Sequence, residues 1–209
     1  MNLEKENEFK IIGNVCIFGD SIVWGAWDKS KNGWVNRLNI YFAEKNKDIN
    51  IYNLGIASET TSDLLKRVEK ECEIRKPGTI IIAIGINDTI YLKKEKRTIV
   101  EIHDFEDNLE KIKNICSKYT NNICFLGLTK VKEKYTNPIA WDDNQSYFNN
   151  IIEKYNESLR CFCINNRINF LDMYDILEEN NLCEDGIHPN ESGHKKIFNR
   201  VIKFYKKEK

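Results

Sequence analysis

Val15-Cys16-Ile17-Phe18-Gly19-Asp20-Ser21 is the stretch whose reading decides the fold. Its four apolar residues run without alternation and stop at a glycine. A short, continuous apolar run bounded by a turn signal is a strand covered on both faces, and such strands belong to parallel sheets. In an open parallel sheet, ligands bind just beyond the carboxyl ends of the strands. Gly19-Asp20-Ser21 therefore marks where a functional site is expected.

The same pattern repeats outward from this run. Further candidate strands are Ile49–Leu54, Thr79–Ile84, Ile123–Leu128 and Ile168–Leu171. Amphipathic stretches lie between them: Gly33–Glu44, Ser62–Arg75, Asp104–Tyr119 and Gln145–Asn166, with a last helix over Ser192–Tyr205. Ile112, Ile115 and Cys116 have the spacing of a buried helical stripe. Strand–helix alternation predicts an α/β class protein, a three-layer α/β/α sandwich around a five-stranded parallel sheet. The 209 residues suit a single domain, with its core over about residues 14–205. Two connections are long, Thr89–His103 and Thr129–Asn144; the first holds the charged run Lys93–Arg97, expected to be a solvated face.

Composition removes several classes. Lys plus Arg and Asp plus Glu both number 32, so the net charge is zero and no basic excess invites nucleic acid. Met1–Lys10 is mostly charged and polar, which predicts no signal peptide. No apolar run approaches the roughly 20 residues of a membrane span. The expectation is a cytoplasmic protein without membrane insertion. Seven cysteines, an odd count without a Cys-x-x-Cys pair, predict reduced thiols and no zinc site.

The segments that follow the strands carry the chemistry. Gly19-Asp20-Ser21 follows the first, Gly55 follows the second, and Gly85-Ile86-Asn87-Asp88 follows the third. Beyond the fifth comes Asp185-Gly186-Ile187-His188-Pro189. Gly19-Asp20-Ser21-Ile22 resembles the GDSL signature around a nucleophile. Gly85-x-Asn87-Asp88 and Asp185-x-x-His188-Pro189 resemble two further blocks of the SGNH (GDSL-like) hydrolases, and Gly55 matches the remaining one. The resemblance spans about residues 14–200. It implies a flavodoxin-like sheet, ester hydrolysis and no cofactor. Ile22 replaces the leucine of the signature, and Ser58 stands near where many relatives carry a second glycine. The G-x-S-x-G elbow of the α/β-hydrolases proper is absent.

These residue types fit acyl transfer. A serine hydroxyl needs a neighbouring base, imidazole suits that task near neutral pH, and a carboxylate orients the imidazole. Ser21 is the expected nucleophile, His188 its base and Asp185 the orienting acid, three residues apart across a turn at Gly186. The resemblance implies an oxyanion hole made of the Ser21 and Gly55 backbone N–H groups and the Asn87 amide.

Other residues divide between function and packing. Asp20 is expected to hold the nucleophile loop by hydrogen bonding. Asp172 is an alternative acid. His103 reads as solvated and His194 as structural. Trp24 and Trp27 either line a substrate pocket or pack, whereas Trp34 reads as core. Trp141, with Tyr135, Tyr147 and Phe148, is a candidate rim of the cleft. A thiol adduct at Cys183, two residues before Asp185, would be expected to disturb the triad.

The reading is a serine esterase acting on a small-molecule ester with a short acyl or acetyl group. Thioesters and lysophospholipids are the alternatives within the family. The fold could instead bind a nucleotide or flavin, but neither G-x-G-x-x-G nor G-x-x-x-x-G-K-[ST] follows any strand. A non-catalytic module is the third possibility, disfavoured because all five site residues are present. Oligomeric state is not encoded in any pattern found here.

Overall fold

The computed structural model describes residues 9–45 and 48–207. Most of the charged Met1–Lys10 stretch, expected to carry no signal peptide, therefore lies outside the described residues.

Five parallel strands form the main sheet: β1 (Gly13–Gly19), β2 (Ile49–Gly55), β3 (Thr79–Ala83), β6 (Ile123–Leu126) and β8 (Asn169–Leu171), in the order β2-β1-β3-β6-β8. This is the order 2-1-3-4-5 of a flavodoxin-like sheet, with a switch point between β1 and β3. Alternation along each strand sends neighbouring side chains to opposite faces. In β1, Cys16 and Phe18 join one core cluster while Val15 and Ile17 join the other. In β6, Phe125 goes with the first and Leu126 with the second.

Each face is covered by helices. α2 (Gly33–Glu44) and α8 (Glu191–Lys207) close one face with Trp34, Leu38, Phe42, Ile197 and Val201. The other face is closed by α3 (Thr61–Leu64), α4 (Val68–Arg75), α5 (Ile102–Cys116) and α7 (Asn149–Asn165). Phe105, Leu109, Ile112 and Cys116 form the buried stripe of α5, with Ile115 partly buried beside it. The three-layer sandwich is as expected, and Trp34 is core.

Three details differ from the sequence reading. The helix expected over 62–75 breaks at residues 65–67. There Arg67 turns back to pair with Glu59 and to donate to the Leu54 carbonyl at 2.6 Å. The helix expected from Gln145 begins at Asn149, because Gln145–Ser146 forms strand β7. β7 joins β4 (Tyr91–Leu92) and β5 (Arg97–Thr98) in a small antiparallel sheet, order β5-β4-β7. Two-residue strands lie below the length at which a period can be read. Lys93–Lys96 form the exposed turn of this hairpin, as a solvated run should.

α1 (Ser21–Trp24) is a single turn immediately after β1, and α6 (Glu133–Thr136) a single turn in the second long connection. All seven cysteines are free thiols, five of them buried. No helix among the described residues is long and apolar enough to cross a membrane.

Candidate active site

Ser21 stands at the carboxyl end of β1, the second strand in the sheet order. Asp20 caps α1, its carboxylate accepting from the Ile22 amide at 2.8 Å. This fixes the turn that presents the Ser21 hydroxyl. As the first residue of α1, Ser21 has an amide without an intrahelical acceptor, and that amide donates to no group among the described residues.

The Ser21 hydroxyl lies 2.8 Å from His188 Nε2, and His188 Nδ1 lies 2.6 Å from Asp185 Oδ2. The two residues come from a loop 167 positions away in sequence from the serine. That loop is a tight turn in which Gly186 takes a left-handed φ of 75°. Asp185 Oδ1 accepts from the amides of Ile187 (2.9 Å) and His188 (3.0 Å). Burial acts to raise the Asp185 carboxyl, but the bonds from the His188 ring and the two amides outweigh it and hold it down at about 2. The ionised carboxylate can only accept, so Nδ1 carries the proton that bonds to it. Nε2 of the neutral ring is then an acceptor facing the Ser21 hydroxyl. Asp172 does not compete for this role: its carboxylate accepts from the Tyr174 amide.

Trp27 touches both partners of the serine. Its indole N–H donates to Asp185 Oδ2 at 3.2 Å, and its ring meets the His188 ring edge-on at 5.7 Å. Sequence reading left Trp27 open between lining a pocket and packing and did not anticipate this bond, because nothing in the spacing connects residues 158 positions apart.

Asn87 follows β3 and is buried. Its Oδ1 accepts from the Tyr147 hydroxyl at 2.9 Å, and its Nδ2 donates to the Glu59 carbonyl at 2.9 Å. An amide nitrogen carries two hydrogens, so one remains. Tyr147, expected at the rim of the cleft, is buried behind Asn87 instead. Phe148 packs edge-on against Tyr91. Tyr135 is exposed beside Lys132. Trp141 is 60% exposed and makes no hydrogen bond or ring contact with Ser21, Asn87 or His188.

The segment after β2 is held firmly. Glu59 is buried against Arg67. Asp88, fully buried, accepts from the amide and hydroxyl of Thr61. Burial is the main influence on this acid and pushes it up to about 6, against the Thr61 bonds. Gly55 serves packing: a Cβ there would lie 2.2 Å from the Trp24 amide nitrogen. Its own N–H donates to Asn53 Oδ1 at 3.0 Å. The expectation that this amide faces an oxyanion does not fit that engagement. Ser58 has the conformation usually given to glycine, with φ of 62°. Its amide donates to no group among the described residues.

Three more residues named from the sequence are His194, Asp20 and His103. His194 is fully buried and its Nε2 meets the Ala26 carbonyl at 3.0 Å; burial lowers its pKa. Asp20 is also buried, and that burial pushes its carboxyl up to about 7. His103 is exposed on α5.

Comparison with known proteins defines the class: a hydrolase acting on ester bonds. The chain belongs to the GDSL-like Lipase/Acylhydrolase family, whose model matches residues 15–201. Among solved structures, it is similar to LAE5, an alpha/beta hydrolase enzyme from the metagenome of Lake Arreo, Spain. The TM-score is 0.75 at 19% identity, covering 97% of this chain and 99% of that one. It is also similar to Axe2, an acetylxylan esterase from Geobacillus stearothermophilus, with a TM-score of 0.74 at 19% identity, covering 94% and 96%. No curated protein matches the chain by sequence.

Proposed function

We propose that the protein hydrolyses a small carboxylic ester by two-step acyl transfer through Ser21, His188 and Asp185. The observation that carries this is the unbroken chain of hydrogen bonds from the Ser21 hydroxyl through His188 to Asp185. His188 Nε2 takes the Ser21 proton as Oγ attacks the ester carbonyl. Asp185 stabilises the imidazolium that forms. His188 then protonates the leaving alcohol, and a water molecule repeats the sequence on the acyl-enzyme.

The oxyanion is received by the Ser21 amide, the remaining Asn87 amide hydrogen and, in place of Gly55, the unpaired amide of Ser58. Asn87 Nδ2 holds the next carbonyl, that of Glu59, which sets this loop beside Asn87. The relative Axe2 supports the triad: forms of it altered at a serine, an aspartate and a histidine are described as catalytic mutants, the last two positions lying three apart. Asp185 and His188 have the same spacing.

The acyl group proposed is a short one, acetyl first among them. The test is turnover of p-nitrophenyl acetate by wild type and Ser21→Ala. The variant is expected to lose about 10³-fold or more in kcat while its circular dichroism is unchanged. Retention of activity within a few-fold would overturn the assignment.

A further inference from the structure

A cavity lies beyond Trp27, on the side of the β2 edge. It has a volume of about 580 Å³ and runs between the segment after Ser21, α2 and β2. Two indoles stand over it, Trp24 at 55% and Trp27 at 57% exposure. Trp24 is the last residue of α1, three positions from Ser21, a rise of about 4.5 Å along a helix. One wall residue of the cavity thus follows the serine by about one helical turn, and another, Trp27, donates to Asp185.

Its chemistry is specific. Asn32, Asn36, Asn39 and Asn53 line it. Asn53 is engaged with the Val23 carbonyl and the Gly55 amide, and Asn36 donates to the Lys31 carbonyl, leaving its own oxygen. The side chains of Asn32 and Asn39 make no hydrogen bond among the described residues. An acyl chain would strip water from these amides without replacing it, which is unfavourable. A phosphate would find one cation among the lining residues, Lys29, with the Asp28 carboxylate beside it. Flat indole faces together with amides that both donate and accept suit a ligand with C–H faces and many hydroxyls.

We propose that this cavity is the subsite for the alcohol side of the ester and that it takes a neutral polyhydroxylated ring, a carbohydrate. The inference rests on the ester-hydrolase reading above, for which it supplies the leaving group. Trp24 forms the stacking wall, Asn32 and Asn39 bind hydroxyls, and Trp27 separates the sugar from the Asp185–His188 pair.

The test uses Ser21→Ala protein, titrated with xylotriose and with triacetylchitotriose by tryptophan fluorescence and calorimetry. Saturable binding of at least one triose is expected. Adding Trp24→Ala should weaken it about tenfold, a full decade of Kd. Asn39→Leu, a surface change that leaves the core intact, should weaken it by a smaller factor. Octanoate and inorganic phosphate should not displace the sugar. No saturable binding of either triose, binding indifferent to both substitutions, or displacement by octanoate would overturn the subsite. Wild-type turnover of p-nitrophenyl acetate, measured in parallel, separates the two ideas. Turnover without triose binding removes the carbohydrate subsite alone. Triose binding without turnover keeps the ligand and removes the ester reaction.

Discussion

In the proposed reaction Asn87 offers an amide hydrogen to substrate, and two bonds hold its side chain in one orientation. The Tyr147 hydroxyl identifies the oxygen end, so the nitrogen end faces the Ser58–Glu59 loop. Tyr147→Phe should therefore lower kcat about tenfold with little change in KM, since the amide becomes free to turn. A purely structural role would lower the melting temperature and leave kcat intact. Asn87→Ala should cost about 10²–10³ in kcat. At Ser58 the left-handed backbone costs a non-glycine residue roughly 1–2 kcal/mol. Ser58→Gly should raise stability by about that amount in urea unfolding and keep the activity. At this scale the sequence was most legible for Ser21, Asp185 and His188, which the structure brings into contact. It was least legible for Tyr147 and Trp27, whose bonds span 60 and 158 positions. Gly55 is ambiguous in sequence because a glycine after a strand looks alike whether it admits a substrate or a neighbouring helix.

The elements around the site are held by buried charge. Asp28 is buried and accepts from the amides of Ser30, Lys31 and Gly33, the Ser30 hydroxyl and Arg37, so it shapes the loop that carries Trp27. Asp28→Ala leaves Arg37 buried without its partner and should cost about 3–5 kcal/mol in chemical denaturation. Where α1 meets β2, Gly55→Ala drives a methyl into the Trp24 backbone and should destabilise by about 1–3 kcal/mol or more. The five main strands and the long helices were readable because their apolar periods last long enough to count. The β4–β5–β7 sheet was not, since its strands are two residues each and its pairing is tertiary. The break between α3 and α4 was hidden for a similar reason: Arg67 leaves the helix to reach Glu59, a contact that local propensity does not encode.

Over the whole molecule, the buried acids set how stability follows pH. Asp20 and Asp88 have folded values of about 7 and about 6, above their ordinary value of 3.8. A raised carboxyl binds its proton more tightly in the folded state, so its contribution is complete below pH 4 and is lost as pH rises toward 7. Asp185, held at about 2, acts oppositely: its contribution is present above pH 4 and is lost as pH falls toward 2. Asp20→Asn keeps a capping oxygen and removes the titration. It should flatten the decline of stability between pH 4 and 7, a change on the order of a few kcal/mol, measured by denaturation at each pH. An unaltered pH profile would show that Asp20 is not protonated in that range.

The whole reading depends on the Ser21 hydroxyl being activated by His188. A fluorophosphonate probe reacts rapidly only with an activated serine, and mass spectrometry locates the adduct. The expected result is one equivalent of adduct on Ser21 in wild type and loss of rapid labelling in His188→Ala. No adduct on Ser21, or equally fast labelling without the imidazole, would contradict it.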